Sequence, residues 1–189
     1  CGKQFFYLNC LLQGEHIIIG VCFILLYNYY NVYRTNSRIY EYIKQTIKLD
    51  ITELKSLIDN NNMLLLQDID NKELSSEDLE RLIFNHEEIN VLLTEIIEKI
   101  EIIKSEKYGN NIRQGNQRAI WKDTRDIYRE IKKEFSLDTD FIKLDENSVK
   151  DLRIIQEYYK QSNNILDNII TNFDKDIDMW SKEISILYQ

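Results

Sequence analysis

Residues 75–109 read SSEDLERLIFNHEEINVLLTEIIEKIEIIKSEKYG. Within them Leu79, Leu82, His86, Ile89, Leu93, Ile96, Ile100 and Ile103 recur in steps that alternate three and four residues. An α-helix turns once per 3.6 residues, so this spacing draws a single stripe along one face, in heptad fashion. A half-buried strand would instead alternate every second residue. The ends carry matching signals. Ser75 supplies an N-cap hydroxyl ahead of Glu77, Asp78 and Glu80, whose carboxylates suit the positive first turn of a helix. Gly109, with Asn110 and Asn111 behind it, reads as the C-terminal stop.

The rest of the chain repeats that pattern. It has 189 residues, no proline and 5 glycines, which favours a few long elements over many short ones. A hydrophobic fraction of 43% beside 30% charged residues is that of an ordered chain. Upstream, Ile39, Ile43, Ile47, Leu54 and Ile58 share a helix face with Ile51 beside them, and the Asn60, Asn61, Asn62 cluster predicts the end of that helix. Residues 63–66 then read as a short apolar cover. A third helix is expected over residues 116–135, with Ile120, Thr124, Ile127, Ile131 and Phe135 inward and Trp121 and Tyr128 flanking. Residues 136–147 are polar and aperiodic, a simple connection. The fourth helix is the longest, with a seam of Leu152, Ile155, Tyr159, Ser162, Leu166, Ile169, Phe173, Ile177, Trp180, Ile184 and Leu187 and a local stutter around Phe173. No amphipathic helix buries its stripe alone. The expectation is therefore an all-α protein, with an antiparallel bundle of about four long helices and coiled-coil-like seams.

Residues 16–33, HIIIGVCFILLYNYYNVY, carry no formal charge and are followed by Arg34 and Arg38. As a helix, residues 17–33 would rise roughly 25 Å, a little short of the ~30 Å hydrocarbon core. Tyr27, Tyr29, Tyr30 and Tyr33 sit where interfacial aromatics belong. This reading makes residues 1–33 a membrane anchor, with a transmembrane helix over 16–33, and residues 34–189 an acidic helical domain. A buried core helix and a signal peptide are the alternative readings of the same run. Charge asymmetry, with Lys3 beside Glu15 before the run and Arg34, Arg38, Lys44 and Lys48 after it, places the body in the cytoplasm. Those four basic residues are also candidate contacts for lipid headgroups. A lipidated Cys1 would reverse the side.

The net charge of −8 repels phosphate backbones and argues against nucleic acid as a partner. Cys1, Cys10 and Cys22 all lie near the start, so no disulfide staples the body. Residues 75–107 hold nine acidic and four basic residues, whereas Arg118, Lys122, Arg125, Arg129 and Lys132 form one basic stripe on the third helix. That stripe is a candidate for pairing with the acidic second helix or with a partner protein; a solvated basic face is the plainer reading. His16 and His86 belong to no metal-ligand spacing, and the Cys residues form no C-x-x-C pair. Asp138, Asp140 and Asp145 lack the glycine and glutamate of a calcium loop. Glycine-rich phosphate loops and nucleophile elbows are missing from the sequence. The sequence thus predicts no catalytic site and no cofactor. It points to a membrane-anchored interaction or scaffold protein, self-associating or bound to a protein partner. A sensory bundle that binds a small ligand or proton, and a phage or secretion-apparatus stalk, are the other readings.

Overall fold

The structure, a computed structural model, describes residues 2–108, 119–135, 140–175 and 177–187. Side chains are described for these residues from position 20 onward, apart from 105–108 and 119–122. The described elements are α1 (Gly2–Asn71), β1 (Glu73–Ser75), α2 (Ser76–Tyr108), α3 (Ala119–Lys132), β2 (Phe141–Lys143), α4 (Glu146–Asn172) and α5 (Ile177–Leu187). The described residues are all-helical apart from one two-stranded ribbon. Two compact units divide the chain, Cys1–Lys44 and Gln45–Gln189.

The second unit is a helical bundle. Its core forms because the heptad stripes are satisfied by one another. All eight seam residues of α2, Leu79 to Ile103, are buried, and so are all eleven of α4 and α5. The part of α1 in this unit contributes Ile47, Ile51, Leu54, Ile58, Leu65 and Ile69. Side-chain pairs fix the helix directions. Asp50 meets Lys99 at 2.6 Å and Asn61 meets Asn85 at 2.8 Å, so α1 and α2 run antiparallel. Lys55 meets Asp167 at 3.2 Å and Asp59 meets Asn163 at 2.6 Å, so α1 and α4 do as well.

Three expectations about elements need correction. First, α1 does not stop at the asparagine cluster but continues to Asn71. Asparagine breaks a helix when its amide competes for local backbone. Here the Asn61 amide is buried and bonded instead to Tyr159 and Asn85, on other helices. Second, the connection after α3 contains a strand. Leu74 pairs with Ile142 in the antiparallel β1–β2 ribbon, which also receives a bond from Ser76 N to Asp140 O. Third, the expected fourth helix is two. The chain turns at residues 173–175, and α5 folds back on α4, with Phe173 stacked on Trp180 at 4.8 Å and the Tyr158 hydroxyl donating to the Leu187 carbonyl at 2.9 Å. A straight helix would hold residues 158 and 187 about 43 Å apart. On α3 Thr124 and Ile131 face inward as expected, joined by Tyr128, while Ile127 is half-buried and the helix ends before Phe135. The expected stop at Gly109, Asn110 and Asn111 and the side chains of Ile120 and Trp121 lie outside the described residues.

The predicted N-cap on α2 is present. The Ser75 hydroxyl accepts from Asp78 N at 2.9 Å and donates to the Asp78 carboxylate at 2.6 Å, closing a reciprocal cap on α2. Asp145 caps α4 in the same way by accepting from Ser148 N at 2.7 Å, which lowers its carboxyl pKa. At the other end of α1, Lys72 sits at φ 53, the left-handed conformation that ends helices and that glycine adopts without penalty. Its carbonyl accepts from Leu144 N at 3.0 Å, so the turn is held in place by the ribbon. Lys72→Gly is therefore expected to stabilise the fold by about 0.5–1 kcal/mol, read as a raised urea midpoint at unchanged slope.

The first unit holds the N-terminal part of α1. Among the described residues no helix is long and apolar enough to cross a membrane. This corrects the expected single-pass anchor over residues 16–33, together with the membrane localisation and the cytoplasmic placement that rested on it. The reason lies in the second half of the run. Unbroken apolar side chains end at Leu26, and beyond them the amides of Asn28 and Asn31 would enter hydrocarbon with their polar groups unsatisfied. The side chains of residues 16–19 lie outside the described residues.

Candidate functional site

The basic stripe singled out in the sequence is only partly visible. The side chains of Arg118 and Lys122 lie outside the described residues. Of the others, Lys132 reaches the acidic α2 and bonds Glu80 at 2.6 Å, with both side chains more than half exposed. Arg129 faces solvent beside Asp126 of its own helix at 4.0 Å. Arg125 is half-buried, and its Nε has no hydrogen-bond partner. Among the described residues one link joins the two helices through this stripe, and an exposed pair of that kind contributes under about 1 kcal/mol. The four basic residues named as lipid contacts also diverge. Arg34 and Arg38 are exposed and Lys44 is half-buried, while Lys48 lies over the Phe173 ring at 5.8 Å, turned onto the bundle core.

The more distinctive arrangement is a polar layer inside the bundle. On α1 the buried spacing runs Ile47, Ile51, Leu54, Ile58, Asn61, Leu65 and Asp68, so two polar residues occupy core positions. Asn61 donates to the Tyr159 hydroxyl at 3.2 Å and accepts from Asn85 at 2.8 Å. The same Tyr159 hydroxyl lies 3.3 Å from His86 Nδ1. The Tyr128 ring meets the His86 imidazole edge-on, with centroids 5.9 Å apart. Helices α1, α2, α3 and α4 each give at least one member. Such a layer is stable only in one register, because sliding any helix by a turn would strand its neighbours' buried polar atoms.

Burial controls the ionisation of this layer. It pushes the Tyr159 hydroxyl up to about 12, and it holds the Tyr128 hydroxyl well above the ordinary tyrosine range, with Tyr159 and Asp68 adding to the effect. Asp68 is 4% exposed, its Oδ2 has no hydrogen-bond partner, and burial together with the Asp78 charge pushes its carboxyl from 3.8 to about 7. A carboxyl of that kind changes charge within the physiological range, which an ordinary aspartate does not.

Comparison with known proteins adds nothing to this picture. No protein-family model, curated protein or solved structure matches the chain. His86 is legible in the sequence as a seam position, whereas Asn61 reads there as part of a helix stop and Asp68 carries no predicted role. Both continue the three-and-four spacing of Ile47 to Ile58, which was the available signal. Among the described residues no three His, Cys, Asp or Glu side chains are grouped to hold a metal ion. Of the acidic residues considered for calcium, Asp140 is exposed, Asp145 caps α4 and Asp138 lies outside the described residues.

Proposed function

We propose that the chain is a non-enzymatic helical interaction module, a scaffold that acts by joining its helices to other helices, including those of further copies of itself. The supporting observation is the exposed apolar surface of the first unit. Phe23, Ile24, Leu25, Leu26, Tyr27, Tyr29 and Tyr30 are each between 58% and 72% exposed. Contiguous apolar surface on this scale marks contact surfaces, because leaving it in water sacrifices the largest driving force for association. Light scattering on the eluting full-length chain, across a wide concentration range, tests the reading. The expected result is a mass that rises with concentration, or a complex that forms when a partner extract is added. A chain that stays monomeric and binds nothing overturns it.

The polar layer favours a second reading, a bundle that responds to a proton. Asp68, Tyr128, His86 and Tyr159 come from four different helices, so a charge change at Asp68 acts on the packing of the whole bundle rather than on one surface. In this reading the bundle tightens as the carboxyl takes up its proton.

A further inference from the structure

Within residues 22–43 α1 carries a heptad register that runs into the bundle seam through the four-residue steps Ile39, Ile43, Ile47 and Ile51, with Ile43 already half-buried. Counting in steps of three and four gives Cys22, Leu25, Tyr29, Val32, Asn36, Ile39 and Ile43. In heptad letters Leu25, Val32 and Ile39 take d, while Cys22, Tyr29, Asn36 and Ile43 take a. Leu25 is 62%, Tyr29 72%, Val32 59% and Ile39 43% exposed, so this seam has little covering it within its own chain.

The charges say what kind of partner fits. Between positions 20 and 44 the charged residues are Arg34, Arg38, Glu41 and Lys44. In this register they fall at f, c, f and b, all on the side away from the seam and its flanks. An uncharged apolar stripe with every charge at its back is self-complementary: a second identical helix meets no like charge across it. The one strongly polar core position is Asn36, at a. In a parallel, in-register pair it faces its own counterpart, and the two amides bond each other. In an antiparallel pair, or against an unrelated apolar helix, its amide would be buried opposite hydrocarbon at a cost of about 1–3 kcal/mol. Three heptads with one asparagine at a is the pattern of a short two-stranded coil.

We propose that residues 22–43 pair in parallel and in register with the same residues of a second copy of this chain. The inference rests on the self-association reading above and names its surface and geometry. The full chain is the material to test, with Cys1→Ser and Cys10→Ser so that Cys22 is the remaining thiol. Sedimentation equilibrium should give twice the 22.8 kDa chain mass. Mild oxidation should then link the dimer through Cys22, which a parallel register brings together and an antiparallel one separates. Val32→Asp with Ile39→Asp should weaken the dimer by about 100-fold or more, because two carboxylates per chain enter the seam, while the thermal transition of the bundle is unchanged. A dimer that survives V32D/I39D, or that does not link through Cys22, overturns the parallel seam and leaves self-association standing. A chain that is monomeric at every concentration, or that floats with lipid vesicles as a monomer, overturns the pairing and the self-association behind it.

Discussion

Trp180→Ala is expected to lower the stability of the second unit by about 3–5 kcal/mol, the range for removing a fully buried tryptophan. Trp180 has no exposed surface, stacks on Phe173, and is the widest side chain holding α5 against α4. The α4–α5 hairpin has no proline or glycine to enforce its turn, and among the described backbone the turn itself contributes one bond, from Lys175 N to Asn172 O at 2.9 Å. The reversal of direction therefore depends on what packs inside it. Loss of the indole leaves a cavity that the surrounding Leu and Ile side chains cannot refill without leaving their own seam positions. For a domain of this size the loss is equivalent to a fall of about 10 °C in the thermal midpoint. The neighbouring Met179, at 40% exposure, provides the control: Met179→Ala should move the midpoint by no more than about 2 °C. Equal effects from the two substitutions would refute the hairpin.

Asp68→Asn is expected to stabilise the protein above neutral pH and to leave it unchanged in acid. The sign follows from linkage. The folded state holds the Asp68 proton more tightly than the unfolded chain does, about 7 against 3.8. As pH rises through that interval the unfolded chain gives up its proton first and is stabilised by doing so, so the folded state loses ground until about pH 7, where the loss levels off. The amide of asparagine carries no such penalty. One pKa unit corresponds to about 1.4 kcal/mol, and allowing for water reaching the end of the bundle the expected gain at pH 8 is about 2 kcal/mol. Urea midpoints of wild type and D68N should converge near pH 4 and separate steadily up to pH 7. Parallel curves would remove Asp68 from the account, and the proton-responsive reading of the bundle with it.

These two residues also show where the sequence was legible. Trp180 could be placed in the core from its spacing alone, since Ile177, Trp180, Ile184 and Leu187 mark a buried stripe whether the helix is straight or broken. The break could not be read, because each half keeps an inward face and periodicity carries no information about a reversal between them. Asp68 was the opposite case. With the helix expected to end at the Asn60, Asn61, Asn62 cluster, Asp68 lies on no predicted stripe, and only its surroundings make it a buried acid. Asn61 shows the same limit: an asparagine cluster ends a helix when its amides turn to the local backbone, and α1 continues because Tyr159 and Asn85 supply better partners. The charge-free run is longer than its apolar part: Asn28 and Asn31 carry no charge, yet their amides oppose entry into hydrocarbon, though less strongly than charges would.

The sequence by itself determined that this protein is helical, which faces are apolar and where α2 and its cap begin. Those features depend on contacts within a few residues, and local spacing records them. Tertiary structure alone decided the folding back of α5, the continuation of α1 through its asparagines, the β1–β2 ribbon and the gathering of Asp68, His86, Tyr128 and Tyr159. Each of these depends on partners that are distant along the chain, as with Asn61 and Tyr159, 98 positions apart. Burial and hydrogen bonding are set by whatever side chain arrives from elsewhere, and a one-dimensional pattern holds no record of that arrival.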